Sequence, residues 1–180
     1  YLITSIIYNE LITTGSFSFK YFYQRRIRRI LPALLFMIII IFPFAWLYLL
    51  PSNFLDFLKS LVYSLGFSSN IYFHYSGQEY AAKSALFKPL LHTWSLSVEE
   101  QFYILFPIIF LFTYRFFRNY LKLFLFSGFL ISFALAEWGN KNYVSFTFYF
   151  IHSRMWELFA GSILAYFEIS SGQRSNNIIL

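Results

Sequence analysis

Ionisable residues are scarce in this sequence, and three clusters hold those whose types and spacing could do chemistry. The first is Leu91-His92-Thr93-Trp94-Ser95-Leu96-Ser97-Val98-Glu99-Glu100-Gln101-Phe102-Tyr103. It sets a histidine and two carboxylates at the mouth of an apolar run, where an ionisable group is costly enough to need a reason. At helical spacing Glu99 aligns with Phe102 and Tyr103 and so faces an aromatic surface. A carboxylate in that setting suits an acid/base group or a partner for arginine. The plainer alternative is a helix start, with Ser97 at the cap and Glu100 at the third position of a capping box. That covers Glu100 well and Glu99 in part, but leaves His92, Trp94 and Gln101 unexplained.

The second cluster is Phe22-Tyr23-Gln24-Arg25-Arg26-Ile27-Arg28-Arg29-Ile30-Leu31-Pro32. Basic residues beside a membrane span anchor it on the cytoplasmic side, and guanidinium forks also grip phosphate in a bidentate way. If the segment is helical, Arg25 and Arg29 share a face, as do Arg26 and Arg29. Such a patch fits a diphosphate. The third cluster is Arg154-Met155-Trp156-Glu157-Leu158-Phe159-Ala160-Gly161. Arg154 and Glu157 lie three apart and can pair on one helical face, either closing on each other or lining a polar cavity. Gly161 and Ala165 make a strip of small residues for close helix contact. His152 reads as interfacial rather than catalytic.

The elements that must position these groups are membrane helices. The 180 residues are 58% hydrophobic and only 12% charged, about half the charge of a soluble domain. Cysteine is absent, so disulfides and thiolate metal sites are excluded, and three scattered histidines predict no metal site. The net charge of +6 is spread between apolar runs, which fits membrane anchoring rather than nucleic acid. Apolar spans are expected at about 1–12 (the end of a helix), 32–50, 54–73, 95–114, 120–138 and 147–167. The 32–50 run, at 1.5 Å per residue, is roughly 28 Å long, close to the hydrocarbon thickness. Pro32 suits a first helical turn and Pro43 an interior kink. The 54–73 run is the weaker one, carrying Asp56, Lys59, Ser64, Ser68, Ser69 and Asn70. Residues 74–91 are expected to be an irregular loop, and the polar tail after Glu168 ends in Ile178-Ile179-Leu180.

The loop 13–31 carries five positive and no negative charges, which places it in the cytoplasm. Alternation then puts 51–53 outside, 74–94 inside, 115–119 outside and 139–146 inside. Arg115, Arg118 and Lys122 resist that scheme.

With these groups located, the sequence resembles the acyltransferase-3 family of integral membrane O-acyltransferases. The resemblance rests on LLHTWSLSVEEQFYILFP, FYQRRIRRILP and RMWELFAG, in the family's order. It covers essentially the whole chain, most closely the members that acetylate envelope polysaccharides and often carry an SGNH-type domain. It implies a bundle of roughly ten helices, of which this chain is a fragment, in the bacterial inner (cytoplasmic) membrane. It also implies transfer of an acyl group from acetyl-CoA, or another acyl-CoA, to a hydroxyl of an envelope glycan or glycolipid, with membrane lipids around it and no metal. Arg25, Arg26 and Arg29 would belong to the motif that engages the donor, with Arg28 in a variable slot. Glu99, His92 and Glu100 would belong to the central motif, and Arg154 and Glu157 would be the late-helix pair. The family's catalytic histidine lies in a first membrane helix that these residues do not include. None of His74, His92 or His152 matches it, so the fragment alone is expected to be inactive. A transporter or flippase subunit, or a structural membrane subunit, is the competing class; either would carry buried charges without covalent chemistry.

Overall fold

The structure, a computed structural model, describes residues 1–76 and 88–171. The described residues are helical with no strand. In chain order the helices are α1 (Leu2–Thr14), α2 (Phe19–Tyr48), α3 (Pro51–Leu65), α4 (Ser69–Tyr75), α5 (Thr93–Phe116), α6 (Leu121–Asn142), α7 (Val144–Tyr149) and α8 (Met155–Ser170). Short 3-10 turns at Arg118–Tyr120 and Ile151–Ser153 complete the set. Phe19–Tyr48, Thr93–Phe116 and Arg118–Asn142 are long and apolar enough to cross a membrane. The protein is an all-α membrane helix bundle. Most of the loop expected at 74–91, namely 77–87, lies outside the described residues, as does Ile178–Leu180. Packing separates two compact units: Ser18–Glu100, and Tyr1–Phe17 with Gln101–Leu180.

In the Ser18–Glu100 unit, α2 is one helix of 30 residues. At 1.5 Å per residue it is roughly 45 Å long, well beyond the hydrocarbon thickness. The arginine segment is therefore its first turns and not a loop. Pro32, expected at a helix start, is an interior residue together with Pro43. Leu34, Ile38 and Ala45 of α2 are buried with Phe57 of α3 and with Leu90. Phe54 sits edge-on to Phe42 and Trp46, which returns α3 along α2. The stretch expected as one crossing at 54–73 is two helices, broken at 66–68, where Phe67 takes a left-handed φ of 50°. The serines and asparagine that weakened that stretch surround the break, and Ser60, Ser64, Ser69 and Asn70 are all buried.

The other unit packs α6 along α8, and α1 against α8. Gly15, in the left-handed region with φ 71°, caps α1 by donating its N–H to Leu11 O. Thr4 Oγ1 donates to Ser162 Oγ at 2.8 Å. Gly161 lets α8 approach Tyr1 (an added Cβ would stand 2.6 Å from its N), and Ala165 is fully buried. The expected small-residue strip thus packs toward the start of α1. Phe102, Phe106 and Phe124 all lie edge-on to the Phe159 ring. That ring lies over Gly128, where a Cβ would come within 2.6 Å of it. The run expected as one span at 147–167 is interrupted by the turn at Ile151–Ser153. Ser132 of α6 bridges the interruption, donating to His152 O at 2.6 Å and accepting from Trp156 N–H at 2.9 Å. It thereby satisfies backbone groups that a broken helix would leave orphaned.

Candidate functional site

Because α2 begins at Phe19, the arginines have helical geometry. Arg25 has Arg28 and Arg29 three and four residues on, so these three share one side, and all three are exposed. Arg26 turns away from them and pairs with Glu100 of α5, its Nη1 donating to Oε1 at 3.2 Å. Its guanidinium also lies over the Phe22 ring at 5.9 Å. The side chains of Arg26 and Glu100 are 21% and 10% exposed. Such a half-buried pair holds two helices in register, since separating it would leave a charge poorly solvated. From the sequence, Arg25 and Arg26 are each expected on a face with Arg29, and Arg28 in a variable slot. The helix keeps Arg29 beside Arg25 and adds Arg28 to that side, a relation legible from the spacing once the segment is known to be helical.

The capping box does not form. The helix α5 starts at Thr93, so Ser97 lies in its second turn and Glu100 faces Arg26 instead of the helix end. Glu99 is exposed on α5. His92, just ahead of α5, meets Met37 of α2, Nε2 to Sδ at 3.1 Å. Going up α2 from Arg26 to Met37 means going down α5 from Glu100 to His92, so the two helices are antiparallel. The eleven steps from Arg26 to Met37 rise roughly 16 Å. The α5 start therefore stands well away from the arginine level, where alternation had put 74–94 on the arginine side. A groove of about 390 Å³ runs between these segments, lined by Arg29, Ile30, Ala33, Met37, His92 and Leu96 among others. It has a cation at one end, an imidazole at the other and apolar walls between.

A buried hydroxyl network holds the α5 start, and the sequence reading missed it. Ser64 Oγ and Thr93 Oγ1 are 2.8 Å apart, Thr93 Oγ1 lies 3.0 Å from Ser69 Oγ, and Ser69 Oγ lies 2.8 Å from Ser97 Oγ. The Ser69 N–H also donates to Ser97 Oγ at 3.2 Å. These bonds tie α3, α4 and α5 together one turn before Glu100. The available signal was the density of small hydroxyl residues in an otherwise apolar run.

In the other unit Arg154 and Glu157 do pair, Nη1 to Oε1 at 3.3 Å, with side chains 34% and 50% exposed. The pair lines a cavity of about 230 Å³ together with Phe133, Glu137, Asn140, Phe148 and Trp156. Arg154 also lies over the Phe148 ring at 5.2 Å. His74 and His152 are half-buried, and the His152 ring lies tilted by 38° against Phe146, with centroids 4.8 Å apart.

Comparison with known proteins matches the pattern of motifs. A family model described as an acyltransferase domain, that of the acyltransferase-3 family, matches residues 1–178. An uncharacterized protein of Haemophilus influenzae is 34% identical over 195 residues, covering 99% of this chain and 77% of that protein. The O-acetyltransferase OatA of Staphylococcus aureus is 33% identical over 109 residues, covering 61% of this chain and 18% of OatA. The chain thus spans under a fifth of OatA's length. No solved structure matches it significantly. The chain belongs to the acyltransferase-3 family of membrane O-acyltransferases.

Proposed function

We propose that this chain forms the donor-side part of an O-acyltransferase in the bacterial cytoplasmic membrane. It moves an acyl group, acetyl by analogy with OatA, from acyl-CoA to a hydroxyl of an envelope glycan or glycolipid. The observation that carries the reading is the arginine face. Arg25, Arg28 and Arg29 stand exposed on one side of the first turns of α2, while Arg26 is held by Glu100. Clustered guanidinium groups suit the phosphates of a CoA thioester. The groove beginning at Arg29 has apolar walls suited to the arm that joins those phosphates to the thioester. In the reaction the acceptor oxygen bonds to the acyl carbon, the C–S bond breaks, and the hydroxyl proton ends on the released thiol. We assign proton exchange with the bound substrates to His92 and Glu99, and the fixing of Arg26 to Glu100.

Orientation follows from the antiparallel helices. With the arginine end of α2 in the cytoplasm, the α5 start at Thr93, near Met37, stands away from the cytoplasmic face.

The test uses membranes from cells expressing the complete gene and labelled acetyl-CoA. Arg25→Ala with Arg29→Ala abolishes labelling of envelope glycan while the protein level is unchanged. Undiminished labelling would sink the donor-site assignment, and translocation of substrate without covalent change would favour a transporter.

A further inference from the structure

The cavity at the far end of α6 has a composition that the donor chemistry does not use. Its walls combine three aromatic rings, Phe133, Phe148 and Trp156, with Glu137, Asn140, Arg154 and Glu157. Trp156 and Phe133 meet edge-on with centroids 5.5 Å apart, so their planes form a corner and not a flat stack. The polar groups supply both halves of the hydrogen-bond inventory: carboxylates accept, a guanidinium donates, and an amide does both. Sugar hydroxyls need that mixture, because each donates and accepts. The C–H face of a pyranose in turn packs against an aromatic plane, which is large, rigid and apolar. The charges decide further. Glu157 is paired with Arg154 at 3.3 Å, and Glu137 with Lys141 at 3.1 Å. Lys141 lies outside the lining, so the walls themselves hold two carboxylates and one cation, Arg154, which Glu157 already engages. A phosphate headgroup or an acidic sugar would call for cations left over, and an acyl chain would not be met by three charges. A cavity of about 230 Å³ falls below the roughly 300 Å³ at which pockets for drug-sized ligands begin, so it takes one ring.

The site also has a built frame. The Ser132 hydroxyl joins α6 to the first turn of α8 at Trp156 N–H, and Thr147 is packed against Gly139, an added Cβ there standing 2.1 Å from its Oγ1. The rings and charged groups therefore sit on helices locked to one another. Along α6 the cavity residue Glu137 stands fifteen residues beyond Lys122, roughly 22 Å, most of the hydrocarbon thickness from the basic end.

We propose that this cavity is the acceptor subsite: it binds one neutral pyranose of the glycan or glycolipid, with Trp156 as the ring platform and Glu137 and Asn140 reading hydroxyls. The proposal rests on the acyltransferase reading for its chemistry, but binding can be tested apart from it. The experiment uses the full-length protein in nanodiscs, with labelled acetyl-CoA as donor. Its acceptors are methyl glycosides of glucose, galactose, rhamnose and N-acetylglucosamine, with methyl glucuronide as the acidic comparison. At least one neutral glycoside is expected to saturate at lower concentration than the glucuronide. Trp156→Ala raises its KM roughly tenfold, Trp156→Tyr restores most of the loss, and Glu137→Gln raises KM about threefold, as expected for losing ring contact or one hydrogen bond. The KM for the donor moves less than twofold. The same sugar on a lipid carrier in the nanodisc separates a glycolipid acceptor from a free glycan. Unchanged acceptor KM in both Trp156→Ala and Glu137→Gln, or preference for the glucuronide, overturns the subsite. If no acceptor is acetylated, the acyltransferase reading fails, and saturation-transfer NMR of the glycosides still decides the site. A signal lost in Trp156→Ala supports it, and no signal overturns it.

Discussion

Glu100→Gln tests whether the Arg26–Glu100 pair is what joins α2 to α5. The substitution keeps the shape and removes the charge, leaving the guanidinium facing a neutral amide in a half-buried position. Removing one partner of a fully buried pair costs about 3–5 kcal/mol. Arg26 retains 21% exposure, so water recovers part of its solvation and the expected loss is about 2–3 kcal/mol. Arg26→Ala should cost somewhat more, since the carboxylate, 10% exposed, is the more deeply placed partner. Replacing both together, Arg26→Met with Glu100→Leu, removes both desolvation penalties and should fall within about 1 kcal/mol of the parent. With the single changes Arg26→Met and Glu100→Leu each costing about 2 kcal/mol or more, the cycle they close should yield a coupling of at least about 2 kcal/mol between positions 74 residues apart. The assay is unfolding by SDS in mixed micelles, followed by tryptophan fluorescence. A loss below about 0.5 kcal/mol for Glu100→Gln, the range of an ordinary surface substitution, would refute the reasoning and reduce the pair to a surface contact.

Further expectations concern the elements that hold the two sites. Ser97→Ala strips the Ser69 N–H of its side-chain partner and leaves the Ser69 hydroxyl with Thr93 but without Ser97. It should cost about 1–3 kcal/mol in the same unfolding assay, with faster hydrogen exchange at the Ser69 amide. Ser132→Ala should cost a similar amount, about 1–3 kcal/mol, and deprotect the Trp156 amide, because one hydroxyl serves both sides of the break before α8. Gly128→Ala drives a methyl into the Phe159 ring and should destabilise by about 1–3 kcal/mol, with a change in near-ultraviolet circular dichroism. Arg28→Ala should raise the KM for acyl-CoA several-fold at low salt and less at high salt, since an exposed cation acts through a field that salt screens.

The class of the protein was legible in composition: few charges and long apolar runs leave a membrane helix bundle as the solution for the backbone. The Arg154–Glu157 pair was legible too, because three residues along a helix fix a shared face whatever surrounds it. Other features misled for the same reason, that a local pattern was taken as the whole cause. Pro32 fits a helix start, yet α2 begins at Phe19, because good helix formers such as arginine precede it and proline can be accommodated in the interior. Ser97 and Glu100 fit a capping box, yet α5 begins at Thr93. Its hydroxyl back-bonds to Leu90 O, and the Ser64–Ser69–Ser97 contacts hold the turn. Serines counted against a crossing at 54–73 turned out to be what allows the chain to break there, since a buried break must satisfy its polar groups.

By itself the sequence determined which residues are scarce and costly, and so which were worth suspecting. Only the tertiary structure decided their partners. It put Glu100 on Arg26, His92 on Met37 and Ser132 across the break before α8. These contacts join positions 20 to 74 residues apart, beyond the reach of any helical period, and they exist because packing of the apolar faces brings the helices together.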